Sequence, residues 1–215
     1  MPSRSQISSG ATVLVDESAW LRAIDGQRAA ERMAALCPLC GRNTGVGANR
    51  DQVADDHAPT DHALAILRSH AVGCGDALAA RSIRCALTIR ANQLLAGGSG
   101  ADIALALALA DLANGPEGDL PQMHRYGALG TSDLTALAEV GMTLLGERPR
   151  ANGDRRPSNG DRRPSNGDRR PCYALRSVDA LPLVSSHAFT FADGAPSCLD
   201  LQHFSHVALT VCALS

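Results

Sequence analysis

The sequence predicts a mainly α-helical fold with small β elements, and three observations carry that prediction. Hydrophobic residues make up 45% of the 215-residue chain but aromatic residues only 3%, so the core must be built from Ala, Leu, Val and Ile. That composition favours packed helices over a sandwich of aromatic and β-branched strands. Apolar residues recur at helical spacing in several separate stretches, and clusters of glycine punctuate them.

In chain order, Ala11 to Val15 is a short β-like run. A helix is predicted over Glu17 to Leu36, with Trp20, Leu21, Ile24, Ala29 and Met33 as its apolar positions. The loop from Cys40 to Asn49 is dense in Gly and Asn, which calls for unusual backbone angles and lets main chain approach a neighbour closely. Leu64, Ile66, Leu67 and Ala71 mark a helix over Thr60 to Val72, ended by Gly73 and Gly75. Another is predicted over Ala79 to Leu95, closed by Gly97, Gly98 and Gly100. Ala101 to Ala113 alternates Ala and Leu; the period suggests a strand, but the alanine content argues for a buried helix. Gly115-Pro116 ends it. Thr131, Ser132 and Asp133 are N-cap residue types before the amphipathic run Leu134 to Leu145.

Residues 152–171 hold tandem copies of Asn-Gly-Asp-Arg-Arg-Pro joined by Ser158 and Ser165. The repeat has no apolar residue to bury, so it reads as a disordered insertion and a duplicated loop. The chain therefore divides into a folded region 1–150, the repeat 151–171, and a continuation of the helical core over 172–215. In that continuation Leu201, Phe204, Val207, Ala208 and Val211 share one helical face, which needs a partner to bury it.

A net charge of −2 supplies no basic field, so a nucleic-acid partner is not expected. The first ten residues lack the apolar segment of a secretory signal, and the run Ile103 to Leu112 is too short to span a bilayer. A soluble, cytoplasmic protein without a membrane partner is expected. The cysteines, seven and scattered, suit reduced thiols better than a disulfide framework.

Four collinear segments carry a specific resemblance. They are Gly41-Arg-Asn-Thr-Gly-Val-Gly47, Leu67-Arg-Ser-His-Ala-Val-Gly-Cys-Gly75, Arg90-Ala-Asn-Gln-Leu-Leu-Ala-Gly-Gly-Ser-Gly100 and Gly127-Ala-Leu-Gly-Thr-Ser-Asp-Leu-Thr-Ala-Leu-Ala138. Together they resemble the N-terminal part of the histidine, phenylalanine and tyrosine ammonia-lyases. Those enzymes use a self-derived methylidene-imidazolone (MIO) electrophile made from an Ala-Ser-Gly tripeptide. The resemblance implies a helical lyase fold, an amino acid substrate and a homo-oligomer. It implies no metal. It assigns the electrophile to Thr131, Ser132 and Asp133, with Asp133 where the family has glycine. An alternative register, Gly130-Thr131-Ser132, makes Thr131 the dehydrating residue. His70 becomes the substrate-selecting residue beside Ser69, and Asn43, Gly45 and Gly47 line the site. The helix from Leu134 would direct its N-terminal dipole at negative charge on the electrophile.

This sequence departs from the family at two further points. Cys40 stands where the family has a tyrosine base, and Ser185-Ser186-His187 stands where it has Asn-Gly-Thr. Two other readings remain open: a non-catalytic remnant or subunit-interaction fragment of a lyase, and a small zinc-binding module. Cys37-Pro-Leu-Cys40 resembles half of a zinc ribbon, but no second Cys-x-x-Cys exists; Cys74, His57 and His62 would have to complete it. His203 and His206 are spaced i,i+3 but have no evident third ligand, so they are expected on a solvent face.

Overall fold

The computed structural model describes residues 11–53, 59–148, 150, 173–176 and 178–214. The repeat 152–171 lies outside the described residues. Seven α-helices and one short hairpin-like ribbon are described: α1 (Glu17–Ala34), α2 (Pro59–His70), β1 (Cys74–Ala77), α3 (Ala80–Leu95), α4 (Ile103–Asn114), β2 (His124–Tyr126), α5 (Leu134–Leu144), α6 (Ala180–Val184) and α7 (Ala188–Leu214). The mainly α fold with small β elements is therefore observed.

Helix α3 is the hub. It packs on α4, on the first turns of α7 and on α1, while α2, α5 and α6 form a second layer. Leu87, Leu95, Leu105, Leu109, Leu137 and Leu183 are fully buried in one continuous core, which residues on both sides of the repeat supply. The alternating Ala-Leu run is a helix, as its alanine content implied. Leu105, Leu109 and Leu112 sit on its buried face with Ala106, Ala110 and Ala113 between them.

Two expectations fail. The run Ala11 to Val15 joins no sheet among the described residues. Instead, the Asn114 side chain accepts from Val13 N (2.7 Å) and donates to Val13 O (2.9 Å), so one amide satisfies both backbone groups a neighbouring strand would have taken. The apolar stripe of α1 is also misplaced. Trp20, Leu21 and Met33 are exposed, and Ala19 and Ala23 are buried. The reason is distance: a Cβ on Gly26 would lie 1.7 Å from the Gly97 carbonyl oxygen. Only small side chains allow this approach, so the large ones face away.

Strands β1 and β2 pair antiparallel, Cys74 opposite Tyr126 and Ala77 opposite His124. Helix α7 is buried only at its start, through Ala188, Phe189, Ala192 and Ala195. Beyond Pro196, the predicted stripe of Leu201, Phe204, Val207 and Val211 is exposed, and so is Leu209 on another face.

Candidate active site

The Gly- and Asn-rich loop is built from within. Asn43 accepts from Leu39 N (2.6 Å) and donates to the carbonyls of Ala34 (3.1 Å) and Cys37 (3.4 Å), so its side chain shapes the loop from inside. Gly45 is buried, and its N–H donates to Gln52 O at 2.9 Å. Gly47 has φ +59° and no atom near the place of a Cβ. The Cys40 thiol donates to Gly45 O at 3.6 Å and the Cys37 thiol to Met33 O at 3.5 Å. Among the described residues no three His, Cys, Asp or Glu side chains converge as metal ligands; His57 lies outside them.

Against this loop the face of α2 forms a cleft of about 380 Å³, lined by Gly45, Asn49, Gln52, His62, Ile66 and Ser69 among others. Of the residues the resemblance named, Gly45 and Ser69 line this cleft, and Asn43, Gly47 and His70 do not. The His70 Nδ1 lies 2.8 Å from Ile66 O, a bond within its own helix. The histidine in the cleft is His62, one turn of helix before Ile66. Its Nε2 is buried and has no hydrogen-bond partner among the described residues. Such an atom is costly to leave unmatched. Spacing along α2 (62, 66, 69) was the available signal for this residue.

The segment Gly127 to Asp133 joins β2 to α5 and is not among the residues that line that cleft. Gly130 has φ +101° and open space around it. Thr131 is exposed, and the Ser132 hydroxyl donates to Thr131 O. Asp133 is 6% exposed and is the N-cap of α5, but its side chain does not cap that helix. Its Oδ2 accepts from Phe189 N (2.8 Å) and Thr190 N (3.0 Å), and its Oδ1 from the Thr190 hydroxyl (2.7 Å). The carboxylate thus satisfies free N–H groups at the start of α7. Its own N–H donates to Ser186 O at 2.7 Å. One residue latches the mouth of α5 to the start of α7.

Ser186 belongs to a buried polar chain. Its hydroxyl donates to Gln93 Oε1 (2.6 Å), which also accepts from Arg90 Nη1 (2.8 Å), and Arg90 Nε donates to Leu183 O (3.1 Å). Burial pulls the Arg90 guanidinium down to about 10. His187 Nε2 lies 3.4 Å from Gly130 O, and Ser186 O accepts from Asp133 N, so the 185–187 turn touches the 130–133 segment at both ends.

A second ionic cluster stitches 173–179 to the first half of the chain. The Tyr173 hydroxyl donates to Asp179, whose other oxygen accepts from Asp102 N at 2.9 Å. Burial raises the Asp179 carboxyl and pushes the Tyr173 phenol up, so the phenol keeps its proton and donates it. Burial also raises Asp102, but hydrogen bonds from Arg176 and Ala104 N outweigh it and leave Asp102 below its usual value.

Sequence reasoning missed Glu139. It is 0% exposed. It accepts from His124 N (3.0 Å), His124 Nδ1 (2.9 Å) and Arg148 Nη1 (2.6 Å), and Arg148 also donates to Ala71 O. A Cβ on Gly73 would lie 2.6 Å from its Oε1. His124 in turn lines a smaller cleft of about 150 Å³, with Ser82, Arg125, Tyr126, Asp133 and Asp193 among its walls.

A family model described as aromatic amino acid lyase matches residues 4–215. The histidine ammonia-lyase of Aromatoleum aromaticum is 36% identical over 129 residues, 55% of this chain and 23% of that protein. The tyrosine 2,3-aminomutase of Chondromyces crocatus is 33% identical over 143 residues, 64% of this chain and 26% of that protein. Among solved structures, the phenylalanine aminomutase of Pantoea agglomerans has a TM-score of 0.78 at 16% identity, covering 97% of this chain and 40% of that one. The histidine ammonia-lyase from Trypanosoma cruzi has a TM-score of 0.72 at 22% identity, covering 92% and 39%. These likenesses are of fold. The chain spans about a quarter of these curated relatives and about two fifths of these solved ones.

Proposed function

Because the chain belongs to the aromatic amino acid lyase family, we propose that it serves the elimination of ammonia from histidine or another aromatic amino acid, through an MIO-type electrophile formed at Thr131, Ser132 and Asp133. The observation that carries this reading is the arrangement at the mouth of α5. Ser132 donates to the Thr131 carbonyl, and Asp133 N–H donates to Ser186 O. These are the groups from which such a ring would be built, and Gly130 leaves them room. The Thr131 carbonyl, Ser132 and the Asp133 nitrogen would supply the ring atoms, with the Asp133 N–H leaving its bond to Ser186 O as the ring closes. When formed, it would supply an electrophilic carbon for the substrate amine. The chain's own residues would do the rest. The α5 N-terminus faces developing negative charge, and the Asp133 latch fixes that terminus against α7. The cleft between the 45–53 loop and α2 would take the amino acid, with His62 Nε2, Ser69 and Gln52 as hydrogen-bonding groups. Asn43 and Gly47 hold the loop, and His70 closes the end of α2 beside Ser69. A cytoplasmic homo-oligomer is the assembly this reading implies. No helix among the described residues is long and apolar enough to cross a membrane.

Incubating the purified chain at high concentration with histidine, tyrosine and phenylalanine tests turnover. Growth of the conjugated acrylate absorbance with at least one of them is expected; a flat trace with all three overturns elimination by this chain. A second reading, a non-catalytic subunit-interaction piece of a lyase, is favoured by the exposed Leu201, Phe204, Val207 and Leu209 of α7.

A further inference from the structure

We propose that Gln93, fixed in place by Arg90, is a positioning residue for ring closure at Thr131, Ser132 and Asp133, and that it acts through Ser186. The inference rests on the electrophile reading of that segment. It concerns how the ring-closing nitrogen is held before the new bond forms. That nitrogen belongs to Asp133, whose N–H donates to Ser186 O at 2.7 Å. The place of Ser186 therefore sets the place of the Asp133 peptide plane.

Ser186 is buried, and each of its polar groups is engaged. Its N–H donates to Val184 O at 2.9 Å, and its Oγ accepts from Ala188 N at 3.0 Å. Those partners are neighbours along the chain and move with it. The hydroxyl donates to Gln93 Oε1 at 2.6 Å, and this bond ties the turn to α3. Arg90 settles which end of the Gln93 amide faces Ser186. A guanidinium only donates, so the amide atom 2.8 Å from its Nη1 is the oxygen. Arg90 is buried as well, and its Nε donates to Leu183 O at 3.1 Å. Two residues of α3 thus hold the 183–186 turn, and the turn holds the Asp133 nitrogen.

Ring closure joins Asp133 N to the Thr131 carbonyl carbon. An amide nitrogen attacks through the face of its plane, so a proton held in that plane by Ser186 O leaves the face free. The Ser132 hydroxyl donates to the Thr131 oxygen and draws electrons from the carbon to be attacked. As the C–N bond forms, the Asp133 proton leaves Ser186 O and passes to the Thr131 oxygen. That oxygen departs as water with the Ser132 amide proton. The second water takes the Ser132 hydroxyl and the Ser132 α-hydrogen, so no oxidant or reductant is needed. A misplacement of about 1 Å costs such a closure on the order of a hundred-fold in rate.

The full chain, made by cell-free synthesis and sampled over time, gives the rate as the growth of the two-water mass deficit in the 131–133 peptide of the folded fraction. Gln93→Leu, which lacks the acceptor, is expected to close about ten-fold more slowly than the wild type or worse. Ser186→Ala cuts the same bond from its other end and should be slowed alike. Gln93→Glu keeps an acceptor for both Ser186 and Arg90 and should stay within about three-fold of the wild type. Thr88→Ala removes a buried hydroxyl of the same helix that bonds only Arg84 O, and should close at the wild-type rate. Wild-type closure in Q93L or S186A overturns the positioning role. So does slowing of Q93E or T88A as large as that of Q93L, since it would trace the effect to shape or to the stability of α3. A wild-type chain that never loses water overturns the electrophile reading and this inference with it, so the wild-type sample tells the two failures apart.

Discussion

Glu139→Ala is expected to cost about 3 kcal/mol of stability and to lower Tm on the order of 10 °C. The carboxylate is completely buried and takes three N–H groups from two segments, β2 and the turn after α5. Removing one partner of a buried ion pair strands the others, at about 3–5 kcal/mol. The lower end applies because the Arg148 and His124 side chains keep 29% and 25% of their surface, enough to be partly rehydrated. The truncation also leaves a void against Gly73. Thermal unfolding checks it; a loss below about 1 kcal/mol would mean that the cluster adds little to stability.

Asp133→Ala should cost about 2 kcal/mol, or roughly 5 °C in Tm. Three donors at the start of α7 lose their acceptor together, two of them backbone N–H groups of Phe189 and Thr190. Phe189 is buried, so water replaces the acceptor poorly there. Hydrogen exchange localises the effect: the amides of 189 and 190 should lose protection, while those of α4 change only with global stability. Unchanged protection at 189 and 190 would refute the latch.

These two residues also mark where sequence reasoning stops. The helices α2 to α5 were legible because apolar spacing and glycine punctuation agree along the chain. The four lyase-like segments were legible as motifs, and two of them meet at one cleft. The face of α1 was not legible. A stripe of Trp20, Leu21 and Met33 looks like a core face until Gly97 is known to press against Gly26. Glu139 was hidden for a similar reason. A lone glutamate on a helix reads as a solvent residue, and its partners His124 and Arg148 become neighbours only when β2 and the 145–148 turn fold over it. Asp133 was recognised as an N-cap residue type at the right position, but its side chain serves α7, more than fifty residues away in sequence. His70 was recognised by motif; its Nδ1 lies against Ile66 O within its own helix, and the imidazole that lines the cleft is His62.

The most direct test of the electrophile is the mass of the fresh, intact protein, followed by fragmentation of the peptide that contains Thr131 to Asp133. Ring closure and dehydration each remove a water, so a deficit equal to the loss of both, confined to those three residues, is predicted. A peptide of full calculated mass at that position would contradict the account and leave a member of the lyase family without an electrophile.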